Sequence, residues 1–134
     1  MIKKIDHIAV VVSNLEEEMK KYREILGLQF LGTEVVEEQK VRIALFDIGG
    51  VHIELMEPLS EESPVSSFLQ KRGGGIHHIA CEVDDIDAQV RTFKEKNVIL
   101  IDKKPKKGAH DSRIVFVHPK SFSGVLMEMV AKKK

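Results

Sequence analysis

The chain has 134 residues, 43% of them apolar, enough for one sizeable core or two small fused modules and too few for two independent full-sized domains. Its 21 Lys plus Arg residues balance its 21 Asp plus Glu, so no overall basic field draws it to phosphate backbones or an anionic membrane, and nucleic acid is not an expected partner. A single cysteine, Cys81, cannot form an internal disulfide, no apolar run approaches the roughly 20 residues that span a bilayer, and Met1-Ile2-Lys3-Lys4 enters an apolar run without the parts of a secretory signal; the expectation is a cytoplasmic protein.

Asp6-His7-Ile8-Ala9 through Val12 reads as a short apolar strand with a histidine near its start. Ser13-Asn14 then supplies side-chain oxygens for free N–H groups, and Leu15, Met19, Tyr22 and Leu26 recur at helical steps, which predicts a capped amphipathic helix. Three stretches with β character follow at about residues 28–37, 40–48 and 51–57, with Gly49-Gly50 turning into the last of them. Residues 59–75 form a linker with a short helix around Val65 to Gln70 and the run Gly73-Gly74-Gly75.

The pattern then repeats. His77-His78-Ile79-Ala80 sets against Asp6-His7-Ile8-Ala9 at an offset of 71 (78 minus 7); Asp84-Asp85 takes the place of Ser13-Asn14, and Ile86, Val90, Phe93 and Asn97 occupy the helical stripe. The second set of strands is expected at about 98–102, 112–118 and 124–131, with 103–111 as a polar connection. Gly124-Val125-Leu126-Met127-Glu128 matches Gly50-Val51-His52-Ile53-Glu54 at an offset of 74 (128 minus 54). A repeat of this length means two copies of one supersecondary unit. The expected fold is therefore α+β: two tandem βαβββ modules, about 1–58 and 76–134, whose sheets form an incomplete barrel around one site. Edges of such sheets are commonly covered by a second subunit, so a homodimer is expected.

Matching positions of a repeat face each other, which brings His7 opposite His78 and Glu54 opposite Glu128. Two imidazoles and two carboxylates suit a six-coordinate divalent ion with positions left for water or substrate; Co, Mn, Ni, Fe and Mg all suit it, and a closed tetrahedral zinc site less so. Taken singly, each residue has a plainer reading. A histidine at a strand start is more often a satisfied or surface residue, and Glu54 between Ile53 and Leu55, or Glu128 between Met127 and Met129, could face solvent. The recurrence of both residue types at equivalent points favours the metal site. His52, His77, His110 and His118 lack such partners and read as structural or substrate-facing, and Cys81 as a buried small residue.

The paired His-Ile-Ala strands and paired strand-end glutamates resemble the vicinal oxygen chelate superfamily, and within it the methylmalonyl-CoA epimerase family. The strings that carry the closer resemblance are Ile53-Glu54-Leu55-Met56-Glu57-Pro58, Ser63-Pro64, Phe68-Leu69-Gln70-Lys71, Gly74-Gly75-Ile76-His77-His78-Ile79, Gly108-Ala109-His110, His118-Pro119-Lys120 and Gly124-Val125-Leu126-Met127-Glu128. They cover nearly the whole chain in the family's order. The resemblance implies an isomerase that interconverts (2R)- and (2S)-methylmalonyl-CoA in propionyl-CoA metabolism, with a divalent metal and no organic cofactor. The α-proton would leave to give a metal-stabilised enolate, and an acid or base on each face would complete the inversion.

Glu128 and Glu54 are the symmetric candidates for those two faces. Some epimerases have glutamine at the position of Glu54 and a separate glutamate on the preceding strand; here that place is Ile43, which leaves Glu54 to serve as both ligand and base, or Glu37 or Glu38 to reach in. The resemblance also points to His110, Lys120 and Ser123 as substrate contacts, and the lysines between Lys103 and Lys107 could meet the CoA phosphates or form a solvated loop. The competing readings are a glyoxalase I-like lyase or isomerase, told apart by substrate, and a non-catalytic small-molecule-binding protein of the same fold, which would leave ligand positions vacant. Extradiol ring cleavage needs two histidines and one carboxylate around a redox-active iron, and a fourth ligand argues against it.

Overall fold

The computed structural model describes residues 1–133. Its elements in chain order are β1 (Ile2–Val11), α1 (Leu15–Lys20), β2 (Gln29–Val36), β3 (Val41–Ile48), β4 (Val51–Pro58), α2 (Ser66–Arg72), β5 (Gly75–Val83), α3 (Ile86–Glu95), β6 (Lys106–Lys107), β7 (Arg113–Val117) and β8 (Met127–Ala131). This is an α+β chain in which the order βαβββ occurs twice, with α2 between the copies. Two compact units result: one spans His7–His77, and the other joins Met1–Asp6 to the residues from His78 onward.

In the unit His7–His77 the strand order is β2-β3-β4-β1. The β2–β3 and β3–β4 pairs are antiparallel hairpins, and β1 runs parallel to β4 because α1 crosses over from β1 to β2 and the two hairpins leave β4 pointing the same way as β2. The Glu17 N–H donates to Asn14 Oδ1 at 3.1 Å, so the predicted cap holds the helix start. Leu15 and Met19 bury against Ala44, Phe46, Leu55 and Val12, with Tyr22 and Ile53 at the margin. The expected fourth residue of this stripe does not join: Leu26 is 59% exposed. After Lys20 the helix widens into a π turn, Lys21–Ile25, closed by Leu26 N–H to Lys21 O at 3.1 Å. One more residue in the turn rotates Leu26 out of phase with the 3.6-residue stripe.

In the other unit the order β5-β8-β7-β6 repeats the pattern, with β5 parallel to β8 and the remaining pairs antiparallel. Asp85 caps α3 through Oδ1, which accepts the Ala88 N–H at 3.0 Å, and Ile86, Val90 and Phe93 bury against Cys81, Val115, Val117 and Met129. Asn97, the next residue of the expected stripe, lies in the left-handed region at φ 60 and ends the helix instead. Two strand expectations also change here. Residues 98–102 make a single bridge, Leu100 to Val117, and the short ladder beside β7 is β6, inside the stretch expected to be a plain connection. Side-chain oxygens explain this: Asp102 Oδ2 takes the Phe116 N–H at 2.8 Å and Ser121 Oγ takes the Ile99 N–H at 2.9 Å, where a ladder would use backbone carbonyls. The final strand starts at Met127 because Gly124, at φ 87, and Val125, bonded to Phe122 O, still belong to the preceding turn.

Candidate metal and substrate site

The β1–β4 ladder pairs His7 with His52 and Ala9 with Glu54. Since side chains alternate along a strand, His7, Ala9, His52 and Glu54 share one face, while Ile53 and Leu55 turn to α1 on the other. Solvent was the open alternative for Glu54, but the residue is 7% exposed. Its Oε2 lies 3.6 Å from His7 Nε2.

The second unit repeats this arrangement. Ala80 pairs with Glu128 across the parallel β5–β8 ladder, and His78 precedes Ala80 by two residues as His7 precedes Ala9. His78 Nε2 is 3.3 Å from Glu128 Oε1, and both side chains are buried. Ala80 packs with Ile114, Val130 and Phe116; Phe116, the cross-strand partner of Glu128, sets its ring edge-on to the His78 imidazole at 5.1 Å and 89°. In both units a methyl group thus faces the glutamate, leaving the carboxylate room to cross to the imidazole.

These separations of 3.3 and 3.6 Å exceed the usual N–H···O range of about 2.7 to 3.2 Å. They lie near the roughly 3.0 to 3.4 Å expected between neighbouring donors bonded at about 2.1 Å to one ion. Nitrogen and oxygen donors in equal number, each pair buried, are the donor chemistry of a divalent transition ion with open positions. The residues present therefore fit a metal.

The other residues singled out in the sequence fall as follows. His110 is exposed in the turn Ala109–Asp111 at φ 54, Lys120 is exposed in the turn Pro119–Phe122, and Ser123 ends that turn at φ 55. His118 caps the latter turn, its Nδ1 accepting the Lys120 N–H at 3.0 Å, and His77 packs edge-on against Phe68 at 4.9 Å. Ile43 is buried on the face that carries Glu54, since its neighbour Leu45 is Glu54's partner across β3–β4. Glu37 and Glu38 are exposed in a short turn after β2. Lys106 pairs with Asp102 at 3.0 Å and lies over the Phe116 ring. Cys81 is buried among the residues around α3.

Beside His7, Asp6 is buried and its Oδ1 lies 2.7 Å from Lys132 Nζ, which is also 3.6 Å from Glu82. The hydrogen bond to Asp6 holds the Lys132 ammonium above its ordinary pKa despite the opposing effect of desolvation. One feature escaped the sequence: His52 stands next to His7 on the site face. Its spacing of two from Glu54 was the available signal.

Comparison with known proteins places this geometry among relatives. The description "Glyoxalase/Bleomycin resistance protein/Dioxygenase superfamily" matches residues 6–116. Mitochondrial methylmalonyl-CoA epimerase of Dictyostelium discoideum is 41% identical over 132 residues, covering 98% of this chain and 80% of that protein. The crystal structure of methylmalonyl-CoA epimerase from Mycobacterium tuberculosis superposes with a TM-score of 0.95 at 36% identity, over 99% of this chain and 90% of that one. A methylmalonyl-CoA epimerase in complex with methylmalonyl-CoA and NH4+ gives a TM-score of 0.93 at 38% identity, over 98% and 96% of the two chains.

Proposed function

This chain belongs to the glyoxalase/bleomycin resistance/dioxygenase superfamily, and from that premise we propose that it is an epimerase interconverting (2R)- and (2S)-methylmalonyl-CoA. The observation that carries the reading is one His–Glu geometry built twice in the same register, at Ala9–Glu54 and Ala80–Glu128, in a chain whose relatives bear that activity. His7, Glu54, His78 and Glu128 would hold a single divalent ion, with Co as the first candidate and Mn, Ni, Fe or Mg as alternatives. His7 with Glu54 supplies one buried nitrogen–oxygen pair, and His78 with Glu128 supplies the other. The chemistry such an ion supplies when bound is Lewis-acid stabilisation of the charge that develops on the substrate's oxygens.

The residues of the chain do the rest. Inversion at a carbon between a thioester and a carboxylate needs one group to take the α-proton and another to return a proton to the opposite face. Glu128 is assigned to one face, held beside His78 and walled by Phe116, Ile114 and Val130, which exclude water around it. Glu54 is the carboxylate for the other face, because the place of a separate glutamate on β3 is taken by the buried Ile43. The exposed His110, Lys120 and Ser123 are proposed contacts for the substrate's polar groups.

A homodimer fits the unpaired outer edge of β2, where Leu31 and Val35 are exposed, and light scattering on the purified protein tests it by molar mass. A cytoplasmic setting suits a coenzyme A thioester as substrate. The test of the activity uses metal-depleted protein and (2S)-methylmalonyl-CoA, with Co or Mn restored and the (2R) epimer followed. Inversion that returns with the metal is the expected result; folded protein that forms no (2R) epimer with any divalent ion would refute the proposal.

A further inference from the structure

His52 is the cross-strand partner of His7 on one side and of Asp47 on the other, and it precedes Glu54 by two residues. Asp47, His52 and His7 therefore form one row across β3, β4 and β1, on the face that carries Glu54. His52 flanks the His7–Glu54 pair directly, beside one member and along the strand from the other. Its side chain is 28% exposed where that of His7 is 8%, so it opens to an incoming molecule more than the ligand pair does. Asp47 Oδ1 accepts the Gly50 N–H at 3.2 Å and lies 4.0 Å from His52 Nε2, too far for a hydrogen bond to the ring.

A histidine beside an aspartate on a strand is ordinarily a surface pair. Position sets this one apart, because an α-substituted malonyl thioester held at the His7–Glu54 pair brings a carboxylate with it. A carboxylate entering a partly closed site needs donors to replace its water. We propose that His52 is a substrate-binding residue that donates an imidazole N–H to the free carboxylate of the malonyl thioester. This assignment rests on the epimerase reading, which supplies the carboxylate.

Calorimetric titration of the metal-loaded protein with malonyl-CoA and with propionyl-CoA tests it, since the two ligands differ by that carboxylate. Wild type binds malonyl-CoA the more tightly. His52→Leu loses about tenfold in malonyl-CoA affinity, the size of one hydrogen bond to a charged group, with propionyl-CoA affinity unchanged. His52→Gln, which keeps an N–H donor, stays within about threefold of wild type by the same reasoning. If His52→Leu retains the full preference for malonyl-CoA, or loses affinity for both esters alike, the assignment is overturned while the epimerase reading stands. If wild type itself shows no preference for malonyl-CoA, the epimerase reading fails and takes the assignment with it.

Discussion

Ala9 and Ala80 each place a methyl group opposite a glutamate across a parallel ladder, and a larger side chain there would fill the space the carboxylates cross. Ala80→Leu is expected to cost about 1 to 3 kcal/mol in urea denaturation through overpacking, and also to weaken metal binding as Glu128 is displaced from His78. Glu128→Gln keeps the shape of the side chain while removing its acid–base capacity, so inversion is expected to fall by roughly 10²- to 10⁴-fold, measured as formation of the opposite epimer. Lys132 protects the buried carboxylate of Asp6. Lys132→Ala is expected to cost about 1 kcal/mol, the low end for such a bond because the ammonium is half exposed. A raised folded-state pKa means that this contribution is complete at neutral pH and is lost as the pH rises through that value, above the ordinary lysine value of 10.5; a urea series at pH 7 and above pH 10.5 checks the sign. At this scale the recurrence of each residue type at equivalent places marked His7, His78, Glu54 and Glu128, which the structure pairs as His7–Glu54 and His78–Glu128. The sequence did not reveal that His52 neighbours His7, since the register of a parallel pair depends on where the α1 crossover sets the strands down.

Among the elements, helices α1 and α3 were the easiest to read, each having a polar cap and a buried stripe. Asn14→Ala and Asp85→Ala should each cost about 1 kcal/mol in chemical denaturation, because each cap accepts one backbone N–H of its helix. The second, third and fourth strands of the first copy fell within one residue of their expected bounds, where alternating apolar residues and the Gly49-Gly50 turn mark them, while β1 begins at Ile2, four residues before the expected start at Asp6. Reading failed where side chains replaced backbone partners or changed the helical pitch. Asp102 and Ser121 take N–H groups that a ladder at 98–102 would have used, and the π turn after Lys20 moves Leu26 out of its stripe. Neither leaves a mark in hydrophobic periodicity, because both depend on hydrogen bonds formed only after the chain has folded.

Across the whole molecule, duplication is the feature that ties sequence to chemistry. The repeat found at offsets of 71 and 74 (78 minus 7 and 128 minus 54) is matched by two units with the same ladder, the same small residue and the same His–Glu pair. The boundary of those units was not legible: the first six residues join the second copy rather than the first, which the apolar pattern of β1 gives no reason to expect. Among the described residues no helix is long and apolar enough to cross a membrane. The most direct measurement is α-proton exchange during turnover in D2O, started separately from pure (2R)- and pure (2S)-methylmalonyl-CoA with the metal-loaded wild-type protein. The account predicts that each epimer gives the other with solvent deuterium at the α-carbon, because the proton returned to the opposite face comes from a different carboxyl group. Inversion that keeps the original α-proton, or no inversion from either epimer, would contradict it.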